Sequence, residues 1–224
     1  MGTDVRLGAM DGVFTVAGVR PARDGMTISR DAGLGSENTV TFFALGAGTS
    51  ISRERYDMTS MYIGALGEAV FLTGDDAGRQ SFLDGDMLIV PGGTLCGVES
   101  GSGAVYTEIM IKKEINMNNL VKAGEVMKLK NLIQYEEGSI SNLDIVSNPT
   151  MKFVLMAFDE GTGLQPHRAP GNAIIFALEG KAVIGYEGKD YTISAGENFR
   201  FEKNGLHSVT ADGKFKMALL LVIE

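Results

Sequence analysis

The stretch that decides the fold is Ala44–Phe71, "ALGAGTSISRERYDMTSMYIGALGEAVF", because its pattern returns further along the chain. Ala157–Ile184, "AFDEGTGLQPHRAPGNAIIFALEGKAVI", lies over it without a gap. Gly48 falls on Gly161, Thr49 on Thr162 and Gly67 on Gly180, each pair 113 residues apart. The same offset sets Val13 on Val126, Gly25 on Gly138 and Asp31 on Asp144. After a two-residue insertion in the first half, "DGDMLIVPGGTLCGV" (84–98) matches "AGENFRFEKNGLHSV" (195–209) at an offset of 111. Few residues are identical, but the glycines that fix turns coincide. The chain is a tandem duplication.

Outward from this repeat, both halves are built of short β-type runs. "TVTFFAL", "SMYIGAL", "AVFL", "DMLIVP" and "VYTEIMI" are followed in the second half by "MKFVLMAF", "AIIFALEG", "KAVIGYEG", "KDYTIS", "NFRFE" and "FKMALLLVI". Many short strands separated by Gly, Asp and Ser clusters predict an antiparallel sandwich or barrel. "INMNNLVKAGEVMKLKNLIQYEEG" reads as a helical or irregular connector between the halves. Two units are therefore expected, residues 1–116 and 117–224.

The matched stretches resemble the cupins. The first cupin motif runs Gly, five residues, His-x-His, three or four residues, Glu, six residues, Gly; Gly161, His167 and Gly180 satisfy that spacing. The second runs Gly, five residues, Pro-x-Gly, two residues, His. Gly196 and His207 fit it in the second half, and Gly85, Pro91 and Gly93 in the first. "HRAPGNA" also resembles a single-domain cupin pattern, His-x-x-Pro-Gly-x-Ala. The resemblance implies an all-β chain of two tandem double-stranded β-helix (jelly-roll) barrels, each with one pocket, paired as a cupin dimer would be.

In this family a metal is held by three histidines and a glutamate. The resemblance puts His167, Ala169, Ala173 and His207 in those four slots of the second half, so two ligands of four survive. The first half offers Glu54, Tyr56, Ser60 and Cys96, which carry no histidine. No metal is expected there, and the first pocket is read as structural or as a site for something uncharged. A lone Cys such as Cys96 is usually a small core hydrophobe. His167 and His207 are the only two histidines of the chain, and three readings of them stay open. They hold one divalent metal (Mn, Fe, Ni or Zn) with open positions for substrate. Or they form a metal-free pocket that binds or exchanges protons with a small polar ligand. Or they are remnants bonded to backbone. Arg168 could clamp an anionic substrate or be paired on the surface. Asn172, beside an inward Ala173, should point out of the barrel.

Composition narrows the partners. The formal net charge of −8 and the absence of a long Lys/Arg run argue against nucleic acid. One cysteine cannot form an internal disulfide, no stretch approaches a membrane span, and "MGTDVRLGAMDG" has no apolar core of signal-peptide length. Arg6 stands where a myristoylation site wants Ser or Thr. The expectation is a cytoplasmic small-molecule-binding protein, homodimeric, with no membrane or nucleic-acid partner. The alternative is a metal-dependent oxygenase, isomerase, decarboxylase or aminohydrolase acting on a small polar metabolite. Twelve methionines read as adaptable core filling.

Overall fold

The computed structural model describes residue 10 and residues 12–223. The N-terminal signal and myristoylation readings concern positions that, apart from Met10 and Gly12, lie outside the described residues. In chain order the first part comprises β1 (Val13–Phe14), α1 (Val16–Val19), β2 (Thr27–Asp31), β3 (Thr39–Leu45), β4 (Thr49–Arg55) and β5 (Thr59–Thr73). It continues through β6 (Gly78–Leu83), β7 (Asp86–Val90), β8 (Leu95–Ser100) and β9 (Ala104–Ile111). Next come β10 (Asn116–Met117), β11 (Met127–Lys128), β12 (Ile140–Asn148), β13 (Met151–Phe158) and β14 (Gly163–Arg168). The last are β15 (Asn172–Tyr186), β16 (Lys189–Ser194), β17 (Asn198–Phe201) and β18 (Leu206–Val222). The connector holds only β10, β11 and a 3-10 turn at Leu129–Asn131, so it is irregular and not helical.

The strands form two nine-stranded antiparallel sheets, one ordered β11-β7-β5-β9-β3-β2 along its spine and the other β1-β17-β15-β18-β13-β12-β10. Both curl in the β-barrel, jelly-roll manner. β4, β6 and β8 fold over the first sheet, as β14 and β16 do over the second. The burial patterns of the long strands β5 and β15 agree almost residue for residue.

Why the spine strands carry apolar residues on both faces follows from where alternate side chains go. In β7 all five residues are buried. Met87 and Ile89 enter a core shared between the sheets, whereas Leu88 and Val90 enter the interior of the first sheet. In β15, Ile174 and Phe176 join the shared core while Ile175 and Ala177 face the interior of the second. Three cores result: one inside each sheet and a larger one between them.

The halves also exchange strands. Phe14 of β1 pairs with Asn198 of β17, and Met127 of β11 pairs with Met87 of β7. These are matched positions of the duplication, so each sheet is closed by a short strand from the other half. Asn198 secures one exchange: its buried Oδ1 accepts from Val16 N at 3.2 Å, and its Nδ2 donates to Ile175 O at 3.3 Å.

The glycines that aligned in sequence have a steric reason. Gly67 and Gly180 sit at φ +73° and +75°, and a Cβ would lie 2.2 Å from Gly103 O and 1.9 Å from Lys214 O. These contacts are with backbone, which cannot step aside. Gly180→Ala is expected to destabilise the fold by at least about 1–2 kcal/mol from the left-handed backbone alone. A urea melt checks this; an unchanged midpoint would contradict it.

Candidate functional site

His167 lies on β14 and His207 on β18, and the two residues are directly opposed in the strand register. Their ring centroids are 4.2 Å apart with planes inclined by 51°. His207 also stacks on Phe201, 4.2 Å away at 29°. His207 is buried at 8% exposure, while His167 is exposed on the outer side of the pair. The pair thus runs from the interior to the solvent. Beneath it, Tyr186, Phe199 and Phe201 pack against one another at centroid separations of 5.1–5.5 Å.

Each imidazole is oriented by its own strand. His167 Nδ1 lies 2.9 Å from Gln165 O, and His207 Nδ1 lies 3.0 Å from Gly205 O. A carbonyl oxygen only accepts, so each Nδ1 carries the hydrogen and each neutral ring keeps an unprotonated Nε2. These two backbone carbonyls were invisible in the sequence reading, because nothing in the residue types of Gln165 and Gly205 announces them.

The remaining slots are occupied as the spacing placed them. Ala169 and Ala173 are buried at 4% and 1% exposure and offer only methyl groups. Arg168 points the other way: its guanidinium donates to Asn204 O at 2.5 Å and stands 3.9 Å from Glu187. Asn172 is turned away as well, donating to Leu34 O and accepting from Lys203 N. Among the described residues no group of three or more His, Cys, Asp or Glu could hold a metal. The donor set is two neutral nitrogens. An ion ~2.1 Å from each is compatible with rings this close, with its other positions left to water or ligand.

In the first half the matched register is preserved with different chemistry. Glu54 opposes Cys96 on β4 and β8 as His167 opposes His207. Glu54 is exposed and accepts from the Tyr56 hydroxyl at 3.0 Å, whereas Cys96 is buried. Burial pushes the Cys96 thiol up to about 11, so it stays a neutral thiol near pH 7. Ser60 is buried beside Val90. A cavity of about 110 Å³ opens next to Cys96 and Tyr56. A second cavity, of about 320 Å³, lies between the sheets, lined in part by Gly64, Lys128, Leu178 and Glu197 and remote from both slot sets.

Residues 154–223 match the family described as "Cupin domain". That stretch, within the second half of the chain, is a cupin domain. No curated protein sequence matches it. Among solved structures it is similar to a cupin 2 conserved barrel domain protein from Leptotrichia buccalis, at 22% identity and TM-score 0.84, covering 96% of this chain and 100% of that one. It is also similar in fold to salicylate 1,2-dioxygenase from Pseudoaminobacter salicylatoxidans, crystallised as adducts with gentisate, at 12% identity and TM-score 0.67. That likeness covers 94% of this chain and 80% of the dioxygenase. AerE from Microcystis aeruginosa shares 11% identity, with TM-score 0.52 over 88% of this chain and 98% of that one. At these identities the likeness is one of fold. No helix among the described residues is long and apolar enough to cross a membrane.

Burial pulls the His207 imidazole below its ordinary range, with a further downward push from neighbouring His167, while the Gly205 carbonyl acts in the opposite sense. In the unfolded chain this ring protonates near pH ~6.5, and in the folded chain only at lower pH. Its contribution to stability is therefore full above about 6.5 and is lost as pH falls through the lowered folded value. In chelator-stripped protein, His207→Gln should flatten the fall of the urea midpoint between neutral and mildly acidic pH. A variant whose midpoint declines as steeply as the parent's would refute this.

Proposed function

We propose that the chain is a two-barrel cupin, residues 1–116 and 117–224, that binds a small polar molecule at the mouth of its C-terminal barrel through His167 and His207. The observation that carries this is the pair of imidazoles with centroids 4.2 Å apart, each with its Nδ1 committed to a backbone carbonyl, which leaves the two Nε2 atoms for a ligand. Two neutral acceptors on adjacent strands suit a ligand bearing hydroxyl or ammonium hydrogens. Phe201 backs His207 and keeps its ring from turning away. Arg168 has no part in this reading, because its guanidinium is occupied by Asn204 and Glu187. Ala169 and Ala173 contribute shape alone. The setting is a reducing cytoplasm in which Cys96 remains a free thiol.

A second reading is favoured by the same carbonyl bonds. A metal-ligating histidine typically donates its other ring N–H to a carbonyl or carboxylate, which fixes its tautomer. His167 and His207 would then hold one divalent ion (Mn, Fe, Ni or Zn), which polarises a bound oxygen ligand and lowers its pKa. The protein's own part would be to keep both rings neutral and aimed. With no carboxylate in the set, the site is weaker and less selective than a family site with all four ligands.

Elemental analysis of protein purified without added metal, followed by calorimetric titration with Zn, Ni and Mn salts, separates the two. Stoichiometric metal lost in both His167→Ala and His207→Ala supports the metal site and makes oxygenase or hydrolase screening worthwhile. Absence of metal, with stabilisation by a hydroxylated or amine ligand that disappears in both variants, supports the metal-free pocket. Stabilisation that survives both substitutions would remove the histidines from the function.

A further inference from the structure

The interior of the first sheet differs from that of the second in the side chains that line it. The cavity of about 110 Å³ beside Cys96 is lined by the rings of Phe43, Tyr62, Phe71 and Tyr106 and by Glu108. No lysine, arginine or histidine lines it. The rings form one cluster: Tyr62–Phe71 centroids are 4.6 Å apart, Phe43–Tyr106 5.4 Å and Phe71–Tyr106 5.8 Å.

Glu108 sits on β9 opposite Tyr62, at the register position that Leu219 occupies opposite Ile175 in the second half. A polar pair has therefore replaced an apolar one inside this sheet. Burial pushes the Glu108 carboxyl up, partly offset by the neighbouring Tyr62 hydroxyl. An ionisable group in an apolar interior costs stability unless something compensates it, and Glu108 appears in no ion pair among those of the described residues. At the rim, exposed Glu54 and Tyr56 are hydrogen-bonded to each other and add a second negative charge.

We propose that this cavity is a binding site for a small organic ammonium ion, with the half-buried Glu108 as its counter-charge and the rings of Tyr62, Phe71 and Tyr106 as its walls. Ring faces carry negative potential and attract ammonium groups. A bound ammonium ion beside Glu108 would favour its carboxylate form, which burial alone disfavours, and the pair would interact in a low-dielectric surrounding. An anion would meet carboxylate oxygens at both the rim and the floor, so the site selects by sign. The volume admits a compact ion of about four to eight heavy atoms. This site is independent of His167 and His207, which lie in the other sheet.

Tetramethylammonium and ethylammonium chloride, titrated by NMR into the full chain, test it against the neutral near-isostere tert-butanol and against acetate. The expected result is saturable binding of at least one ammonium ion, weakened by ~10-fold or more in Glu108→Gln and unchanged in His207→Ala. Glu108→Leu, which installs the residue found at the matched position of the second half, keeps the fold testable and should abolish cation binding while improving that of tert-butanol. Equal affinity for the ammonium ions and tert-butanol, acetate binding as tight as theirs, or no saturable ammonium binding in the parent would each overturn the proposal.

Discussion

The central strands of this protein, β5, β7, β9, β13 and β15, have two apolar faces to satisfy, and that constraint organises the rest. A sheet that curled alone would bury one face and expose the other. Here the outer faces of both sheets meet in a shared core containing Phe42, Met61, Ile63, Phe153, Ile174 and Leu220, while the inner faces close on themselves. Burying a large apolar side chain fully contributes about 1.5–3 kcal/mol, so the shared core alone holds the halves together firmly. The reciprocal strands β1 and β11 add backbone hydrogen bonds across the same junction. Because the outer faces are committed to stability, functional variation is left to the interiors and the rims.

The two interiors have used that freedom in opposite ways. Matched register pairs Val90 with Ser60 where Phe201 pairs with Ala173, and Thr73 with Cys96 where Tyr186 pairs with His207. The second sheet fills its centre with Tyr186, Phe199 and Phe201, which leaves its polar chemistry at the mouth. The first sheet carries smaller side chains at those positions and keeps a hollow. A buried imidazole needs an aromatic or apolar support and a neutral state; a hollow with a carboxyl on its wall needs neither. One duplicated scaffold thus presents a basic-acceptor mouth on one side and an acidic aromatic hollow on the other.

Most of this architecture could be read from the chain. "TVTFFAL", "MKFVLMAF" and "KDYTIS" are strands with those boundaries, since alternating or continuous burial leaves a strong apolar signal. β4 and β14, which carry the first slot of each half, gave no such signal: "TSISRER" and "GLQPHR" are largely polar because they cover the sheets from the solvent side. Their place came from the family spacing and the repeat, not from periodicity. The opposition of His167 and His207 followed from the same spacing. What spacing could not supply was volume. The expectation of an uncharged or structural first pocket rested on its missing histidines, and Glu108 passed unnoticed within "VYTEIMI". One signal was available: a glutamate between Thr107 and Ile109 on a core strand, where the duplicate sequence has leucine.

That contrast separates the two kinds of evidence a repeat contains. Positions that stayed alike, such as Gly67 with Gly180 or Gly48 with Gly161, report what the fold requires, because the same left-handed turn recurs on both copies. Positions that diverged while keeping their register report what the fold permits. Glu54 against His167, Cys96 against His207 and Glu108 against Leu219 all belong to the second class, and all face an interior or its rim. A buried carboxyl or imidazole is costly to keep. Scattered loss of function would be expected to replace such groups with apolar residues, as Ala169 and Ala173 illustrate in the second half. His207, buried in one sheet, and Glu108, half-buried in the other, are the titratable side chains on which the two proposed sites rest.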